Sequence, residues 1–239
     1  MVRKSRKGRE EWKTYKNVFD SFTERNLFTL SNKGYFTRLI TPLALGKEAN
    51  IFIAEKGDDH VIVKIYRLEN CNFNQMFNYI SNDPRFIGLE NQKRKVIFSW
   101  VQREYRNLIT GREKIKVPTP HAFKDNILIM EMIGDPANQL KNDVPDDIEE
   151  FFEKTVSCIK KLLDAGLVHG DLSEFNILND DGEPVFIDMS QSTTIKAYNA
   201  KELLERDVKN IIRFFSKHMK VRDILPEILD HLAKVRVNV

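Results

Sequence analysis

Three polar residues in the second half of the chain are spaced for chemistry on a phosphate group. Asp171 is followed five residues later by Asn176, and Asp188 ends the apolar run at 185–187. In phosphotransferase loops with this Asp-to-Asn spacing, the aspartate accepts the proton of the substrate hydroxyl and the asparagine holds Mg²⁺. A carboxylate at Asp188 suits a metal that bridges ATP phosphates, because Mg²⁺ prefers a few hard oxygen ligands. The pattern predicts Asp171 as catalytic base, with Asn176 and Asp188 as metal ligands.

A lysine inside an apolar run is the next candidate for this chemistry. Lys64 interrupts the strand pattern at 61–65, where an edge-strand lysine reaching out to water is the simpler interpretation. Glu104, however, lies on the apolar stripe of a predicted helix, and an unpaired buried carboxylate costs several kcal/mol. We therefore predict that Lys64 and Glu104 form the ion pair that orients ATP phosphates in kinases.

Two further segments are candidates for nucleotide binding. A loop between two predicted strands is expected to fold over phosphates, although it has one glycine where the G-x-G-x-x-G loop has three. Its members are Gly46, Lys47, Glu48 and Ala49, followed by Asn50. At the end of a later strand, Glu131 and Ile133 are placed to present backbone groups to adenine, but an ordinary core strand running into a turn fits the same residues.

The first half of the chain reads mainly as strands. Residues 12–31 suggest two short helices, with Ser21 or Thr23 as a cap between them. Three strands follow within 35–68, the last two joined by a hairpin turn at Gly57. The segment 69–90 has no clear period and is expected to be a loop. A helix predicted over 92–110 ends near Gly111.

The second half reads mainly as helices. After a strand pair at 121–134, Asp146 is predicted to open a long helix with Glu149 as its capping-box partner. Short apolar strands and then helices over about 200–234 follow. Strands first and helices afterwards favour an α+β protein of two lobes, and a cleft between lobes is where ligands bind most often.

Composition supports a folded chain with an uneven charge. The 239 residues are 41% hydrophobic and 31% charged, with a net charge of +3. Residues 1–16 hold seven basic and two acidic side chains, which suits either a solvated terminus or contact with RNA phosphates. Neither a membrane-spanning run nor a signal-peptide pattern occurs, so we expect a cytoplasmic protein without membrane contact.

These motifs together resemble the RIO family of atypical serine/threonine protein kinases, and most of all its first subfamily in the short archaeal form. The resemblance covers about residues 18–215. Its marks are GKEAN at 46–50, VKIYR at 63–67, REYRNL at 103–108, LVHGDLSEFNIL at 167–178, FIDMSQS at 186–192 and RDVKNIIRFF at 206–215.

The resemblance implies a protein-kinase-like fold of RIO type and an assignment of domains. These would be a basic tail at 1–16, family-specific helices at 17–34, an N-lobe at 35–133 with a flexible loop at 69–90, and a reduced helical C-lobe at 134–239. An activation loop and a peptide-docking subdomain would be lacking. The expected cofactors are ATP and Mg²⁺, with Mn²⁺ as an alternative metal.

The resemblance also implies roles and partners. Asp171 would be the catalytic base, and Asp188 would be both a metal ligand and the carboxylate that is transiently phosphorylated during ATP hydrolysis. Lys64 and Glu104 would form the ion pair, and Glu131 and Ile133 would meet adenine through their backbones. The implied partners are the small ribosomal subunit precursor and its rRNA.

The chain departs from the related patterns at several positions. Ala44 and Leu45 stand where the family usually has Ser-Thr, so a hydroxyl contact to phosphate is absent. Gly170 replaces the arginine of H-R-D, and Met189 with Ser190 replaces Phe-Gly of D-F-G. We expect these changes to affect nucleotide affinity and loop regulation.

Two alternatives stay open at this point. Small-molecule phosphotransferases of the aminoglycoside or choline type also use H-G-D-x-x-x-x-N, although they usually have a larger helical lobe. A ribosome-assembly binding module, switched by nucleotide with negligible turnover, is the other alternative. The first predicts ATP turnover stimulated by a small acceptor, and the second predicts almost none.

Overall fold

The computed structural model describes residues 19–69 and 92–237, together with Phe73 and Met76. The predicted tail at 1–16 and nearly all of the predicted loop at 69–90 lie outside these residues. The described residues form two compact units, one with residues up to Gln102 and Pro120–Met132, the other with Arg103–Thr119 and Ile133 onward. The domain boundary expected near residue 133 stays a prediction.

The described part of the first unit contains an antiparallel five-stranded sheet. The strands lie in the order β1-β2-β3-β5-β4, and all neighbours are antiparallel. They are β1 Arg38–Leu45, β2 Ala49–Lys56, β3 Asp59–Tyr66, β4 Pro120–Lys124 and β5 Ile127–Glu131. The predicted hairpin joins β2 to β3, where Gly57 adopts a φ of 65° that glycine tolerates without strain. The middle strand β3 is buried from Val61 to Tyr66, so its apolar run covers both faces.

Helix α1 (Ser21–Asn32) packs against this sheet through Leu27 and Leu30. The sequence predicted Ser21 or Thr23 as its cap, but the N-cap is Asp20. The carboxylate of Asp20 accepts hydrogen bonds from the N–H groups of Phe22 and Thr23. A carboxylate one residue before the helix reaches those N–H groups directly, which decides the start.

Thr23 has a different role, in the core of the first unit. Its hydroxyl accepts a hydrogen bond from Asn126 Nδ2 at 2.9 Å, and the same amide nitrogen donates to the carbonyl of Tyr66. This buried amide ties α1 to the end of β3. Because both partners are buried, the link stabilises the position of the helix on the sheet.

The helix predicted over 92–110 is observed as α2 (Lys93–Gly111), with Gly111 as its last residue. Val101 and Leu108 are fully buried, and Glu104 between them is fully buried as well. The apolar spacing therefore identified the buried stripe correctly.

Among the residues that the structure describes, the second unit contains three further α-helices and five short strands. The helices are α3 Ile148–Asp164, α4 Ala200–Phe215 and α5 Leu225–Val237. The strands are β6 Asn138–Gln139, β7 Leu167–Val168, β8 Ile177–Asp180, β9 Glu183–Phe186 and β10 Thr193–Thr194. Sheet β6-β8-β9 and the pair β10-β7 are antiparallel. These short pieces flank the loop that carries the polar residues.

The start of α3 differs by one residue from the expectation. Asp147, not Asp146, is the N-cap, because its carboxylate accepts a hydrogen bond from Glu150 N at 2.8 Å. The capping interaction thus involves Glu150 rather than Glu149.

Among the described helices, none combines the length and the apolar character that a membrane span requires.

Candidate active site

The loop at 169–176 follows β7 and leads into β8, within the second unit. Asn176 Nδ2 donates hydrogen bonds to the backbone carbonyl of Asp171 at 2.8 Å and to its Oδ2 at 3.4 Å. The loop therefore folds back on itself, and the predicted base lies beside the predicted metal ligand. Both side chains are half-buried, as groups that must meet a substrate have to be.

Asp188 is placed beside this loop by the residue that precedes it. The N–H of Ile187 donates to the carbonyl of Asn176 at 3.0 Å, and the carbonyl of Ile187 accepts from His169 Nε2 at 3.0 Å. Asp188 itself has a left-handed backbone, with φ 58° and ψ 60°. Few non-glycine residues adopt this conformation, and they cluster at functional sites.

The buried imidazole of His169 links the loop to the end of β9. Its Nδ1 accepts a hydrogen bond from Asp171 N at 3.3 Å, so the proton is on Nε2, which donates to Ile187. Burial lowers the pKa of His169 to about 4 and outweighs the bond to Ile187 and the nearby charge of Asp188. The ring is therefore neutral, and its two hydrogen bonds hold the loop at 169–176 beside the end of β9.

The carboxylate of Asp207 on α4 binds the backbone of the loop at 169–176, a role that the sequence analysis did not predict. Its carboxylate accepts hydrogen bonds from Gly170 N at 2.7 Å and Leu172 N at 2.9 Å, on either side of Asp171. Burial raises its pKa to about 7, although the two N–H donors and Arg206 oppose the shift. The only available signal was its place in the RDVKNIIRFF stretch.

Two neighbours of Asp207 on α4 bind the same loop. Arg206 donates to the carbonyl of Gly170, and Asn210 Nδ2 donates to the carbonyl of Leu172 at 3.1 Å. Gly170 has a φ of 80°, and a Cβ there would lie 2.9 Å from the carbonyl oxygen of Gln191. The close approach explains why a glycine stands where H-R-D has arginine.

The turn after Asp188, a 3₁₀ turn at Met189–Gln191, is held by α2. Asn107 Nδ2 donates to the carbonyls of Met189 and Ser192, both at 2.9 Å. Arg103 donates to the carbonyl of Ser192 through Nε at 3.1 Å and Nη2 at 2.9 Å. The REYRNL motif thus supports the site through Arg103 and Asn107, which spacing alone did not single out.

The donor set at this loop fits Mg²⁺. The amide of Asn176 donates to Asp171 through Nδ2, so its Oδ1 would be the hard oxygen that binds the metal. Asp188 adds a carboxylate. Mg²⁺ takes few protein ligands and leaves its other positions to phosphate and water, so one amide oxygen and one carboxylate suit it.

The predicted phosphate loop lies between β1 and β2 in the first unit. Gly46 N donates to the carbonyl of Ala49 at 3.0 Å, and a Cβ at Gly46 would approach that oxygen to 2.8 Å. The carbonyl of Glu48 accepts from Arg67 N at 2.9 Å, whereas Lys47 is exposed. This tight turn requires glycine at Gly46 alone, which accounts for the single glycine of the motif.

Lys64 lies on the central strand of the sheet and is 4% exposed, so the edge-strand interpretation is wrong. Its backbone is opposite Ile51 on β2 and Leu128 on β5. Glu104 belongs to the second unit, and its pairing with Lys64 stays a prediction. Both charges are buried, as the prediction requires.

The adenine candidates have different surroundings. Glu131 is the last residue of β5, opposite Val61. Ile133 is buried, and its carbonyl accepts a hydrogen bond from Ala137 N at 2.6 Å in a turn around Gly134. A contact of Ile133 with adenine would therefore involve its N–H.

The fold of the chain matches that of solved kinases of a protein-kinase-like type. The Rio2 kinase from Chaetomium thermophilum, solved as an ADP/Mg²⁺-phosphoaspartate complex, aligns with a TM-score of 0.66 at 22% identity. The alignment covers 86% of this chain and 64% of that one. The alignment thereby shows the class of fold, a protein-kinase-like fold with an antiparallel sheet and a helical part.

The RIO domain family matches residues 50–226, and the chain belongs to that family. It is 42% identical over 221 residues to the RIO-type serine/threonine-protein kinase Rio1 of Methanocaldococcus jannaschii, covering 91% of this chain and 76% of that protein. The Rio1 kinase of Haloferax volcanii is 38% identical, with 88% and 74% covered. The chain is therefore a RIO-type kinase, as the motifs predicted.

Proposed function

We propose that the chain transfers the γ-phosphoryl group of ATP, with Mg²⁺, to protein serine or threonine, or to Asp188 and then to water. The proposal rests on two hydrogen bonds of Ile187, one from its N–H to the carbonyl of Asn176 and one to its carbonyl from His169 Nε2. These two bonds, called the clamp on Ile187 below, hold Asp188 beside the loop of Asp171 and Asn176. A base, an amide ligand and a carboxylate on one connected frame are the groups that phosphoryl transfer needs.

Asp171 would accept the proton of the attacking hydroxyl or water. Its Oδ2 accepts hydrogen bonds from Asn176 Nδ2 and Gln191 Nε2, which fix the rotation of the carboxylate. Positioning of this kind supplies much of the rate in phosphoryl transfer, where the protein does little covalent chemistry.

Asn176 and Asp188 would hold Mg²⁺, which neutralises charge on the phosphate oxygens when bound. In the hydrolytic route, a carboxylate oxygen of Asp188 forms a bond to the γ-phosphorus, the bond to the ADP oxygen breaks, and water then cleaves the acyl phosphate. Lys64, Glu104 and the residues Gly46, Lys47, Glu48 and Ala49 would orient ATP, with the backbones of Glu131 and Ile133 at adenine.

The wider role is proposed by family resemblance. We place the activity in the cytoplasm, in maturation of the small ribosomal subunit, with pre-ribosomal rRNA as a partner. The basic residues of 1–16 support this proposal, because lysines and arginines bind nucleic acid through phosphate charges.

The decisive experiment is incubation with γ-labelled ATP and Mg²⁺, followed by treatment of the labelled protein with hydroxylamine. Label released by hydroxylamine is an acyl phosphate and favours the Asp188 route, whereas stable label is phosphoserine or phosphothreonine. Asp188→Asn should remove the labile label. Absence of both label and ATP hydrolysis, with or without pre-ribosomal particles, would contradict the proposal and favour a binding module.

A further inference from the structure

Two consecutive side chains on the 3₁₀ turn each bind one of the proposed reacting carboxylates. Ser190 Oγ donates a hydrogen bond to Asp188 Oδ1 at 2.7 Å, and Gln191 Nε2 donates to Asp171 Oδ2 at 3.2 Å. The two aspartates are 17 residues apart in the sequence, yet neighbouring residues of one turn contact both. We infer that Ser190 and Gln191 are positioning residues that set the two carboxylates relative to each other.

The turn is rigid enough for this role. Its carbonyl groups at Met189 and Ser192 accept hydrogen bonds from Asn107, and Ser192 accepts two more from Arg103. Met189, Ser190 and Ser192 are all buried. A side chain can hold a reacting group in place only when its own backbone is fixed, and these contacts fix it.

The backbone of the turn also lies in close contact with the loop of Asp171. The carbonyl oxygen of Gln191 comes so close to Gly170 that a Cβ there would lie 2.9 Å away. The backbone of Gln191 therefore packs directly on the residue before Asp171, and its side chain reaches the carboxylate of that aspartate. Gly170 and Gln191 form one fitted contact.

The chemistry of the two donors also suits the task. A hydroxyl and an amide are neutral, so they fix the rotation of a carboxylate without supplying a full positive charge that would compete with a metal ion or proton. Ser190 would orient Asp188 toward the metal, and Gln191 would orient Asp171 toward the acceptor. The inference deepens the proposed function and rests on it, since the roles of both aspartates belong to that proposal.

The test uses the full chain with Ser190→Ala and Gln191→Met, a change that keeps the length of the side chain but removes the donor. Ser190→Ala should weaken Mn²⁺ binding in the presence of ADP about tenfold, measured by electron paramagnetic resonance, because partners of metal ligands carry effects of that size. Gln191→Met should leave Mn²⁺ and ADP binding unchanged but slow single-turnover transfer from γ-labelled ATP about tenfold or more.

Three controls distinguish positioning from loss of fold. Ser190→Thr keeps the hydroxyl and should restore Mn²⁺ binding, and Gln191→Glu, which adds a negative charge facing Asp171, should be slower than Gln191→Met. Ser216→Ala, at an exposed serine beyond α4, should match the unmodified chain. Thermal unfolding midpoints identify any variant that fails to fold.

The results separate this inference from the proposed function. Normal metal binding in Ser190→Ala together with normal transfer in Gln191→Met would overturn the inference, as would equal loss of both properties in both variants. If the unmodified chain transfers no phosphate, the proposed function fails. The Mn²⁺ titration still tests Ser190, and a crystal structure of Gln191→Met with an unmoved Asp171 carboxylate would then overturn the role of Gln191.

Discussion

The imidazole Nε2 of His169 donates a hydrogen bond to the carbonyl of Ile187 at 3.0 Å, one residue before Asp188. Because His169 also opens the loop of Asp171, this bond and the one from Ile187 N to the carbonyl of Asn176 join the two segments that carry the proposed base and the proposed metal ligand. The ring is buried and neutral, so its Nδ1 can accept the hydrogen bond from Asp171 N, which protonation of the histidine would remove.

The first prediction concerns the stability of the fold at acidic pH. The pKa of His169 is lowered in the folded chain to about 4, below its value of 6.5 in an unfolded chain. Between these values the unfolded chain binds more protons than the folded chain. The stability that neutral His169 contributes is therefore complete above pH 6.5 and is lost as pH falls toward 4. The unmodified chain should therefore lose about 3 kcal/mol of its free energy of unfolding as pH falls from 7 toward 4. His169→Gln keeps a donor for Ile187 but has no titrating ring, so it should not show this loss.

Urea unfolding of both proteins at pH 7 and pH 4.5 measures this effect as a difference of differences. Asp207, whose raised pKa gives a slope of opposite sign, is present in both proteins and cancels. A constant stability gap between the two proteins at both pH values would show that His169 is not a buried neutral group.

The second prediction concerns Asp207. Asp207→Ala leaves the buried N–H groups of Gly170 and Leu172 without their acceptor, which should lower the free energy of unfolding by about 2–4 kcal/mol. Transfer should slow at least about tenfold while ADP affinity is retained, because the loop loses its support. Asp207→Asn, with one acceptor left, should be intermediate, and Asp230→Ala on α5 is the surface control.

The third prediction tests the proposed base. Asp171→Asn should abolish phosphorylation of a protein substrate, because an amide cannot accept the hydroxyl proton, while ATP binding stays nearly intact. Isothermal titration with ATP and a transfer assay on the same sample separate the two properties. Transfer at the rate of the unmodified chain would exclude Asp171 as base.

The fourth prediction tests the ion pair between Lys64 and Glu104. Lys64→Met would leave a buried carboxylate without its cation and should destabilise the chain by about 3–5 kcal/mol. The double variant with Glu104→Gln should regain most of that stability but no single-turnover transfer. Additive losses in the double variant would mean that the two residues do not interact.

The fifth prediction uses two adjacent aspartates as variant and control. Asp147→Ala removes the acceptor for Glu150 N and should cost about 1 kcal/mol in thermal or urea unfolding, whereas Asp146→Ala should cost almost nothing. Equal costs would show that the cap is not confined to Asp147.

Local patterns predicted the parts of the fold that depend on local physics. The apolar run around Lys64 predicted β3, and the stripe containing Glu104 predicted the buried face of α2. The choice between Asp146 and Asp147 could not be made from the sequence, because both are good caps and only the reach to Glu150 N decides.

The support of the loop was the part that could not be predicted. Asp207 lies far along the chain from Gly170 and Leu172, and an aspartate on a helix is most often solvated. Whether Lys64 lies on an edge or in the centre depends on which strands pair, a non-local property. The motif residues were visible in the sequence because the chemistry restricts their types, whereas their supports are restricted only by the tertiary structure.

The clamp on Ile187 bears on how inhibitors could act on this kinase. Some kinase ligands require the segment at the metal-binding aspartate to swing outward and open a back pocket. Here that movement would break the bonds of Ile187 to His169 and Asn176 together, so such compounds should bind poorly. Selective ligands are better sought among molecules that leave Asp188 in its position beside the loop at 169–176.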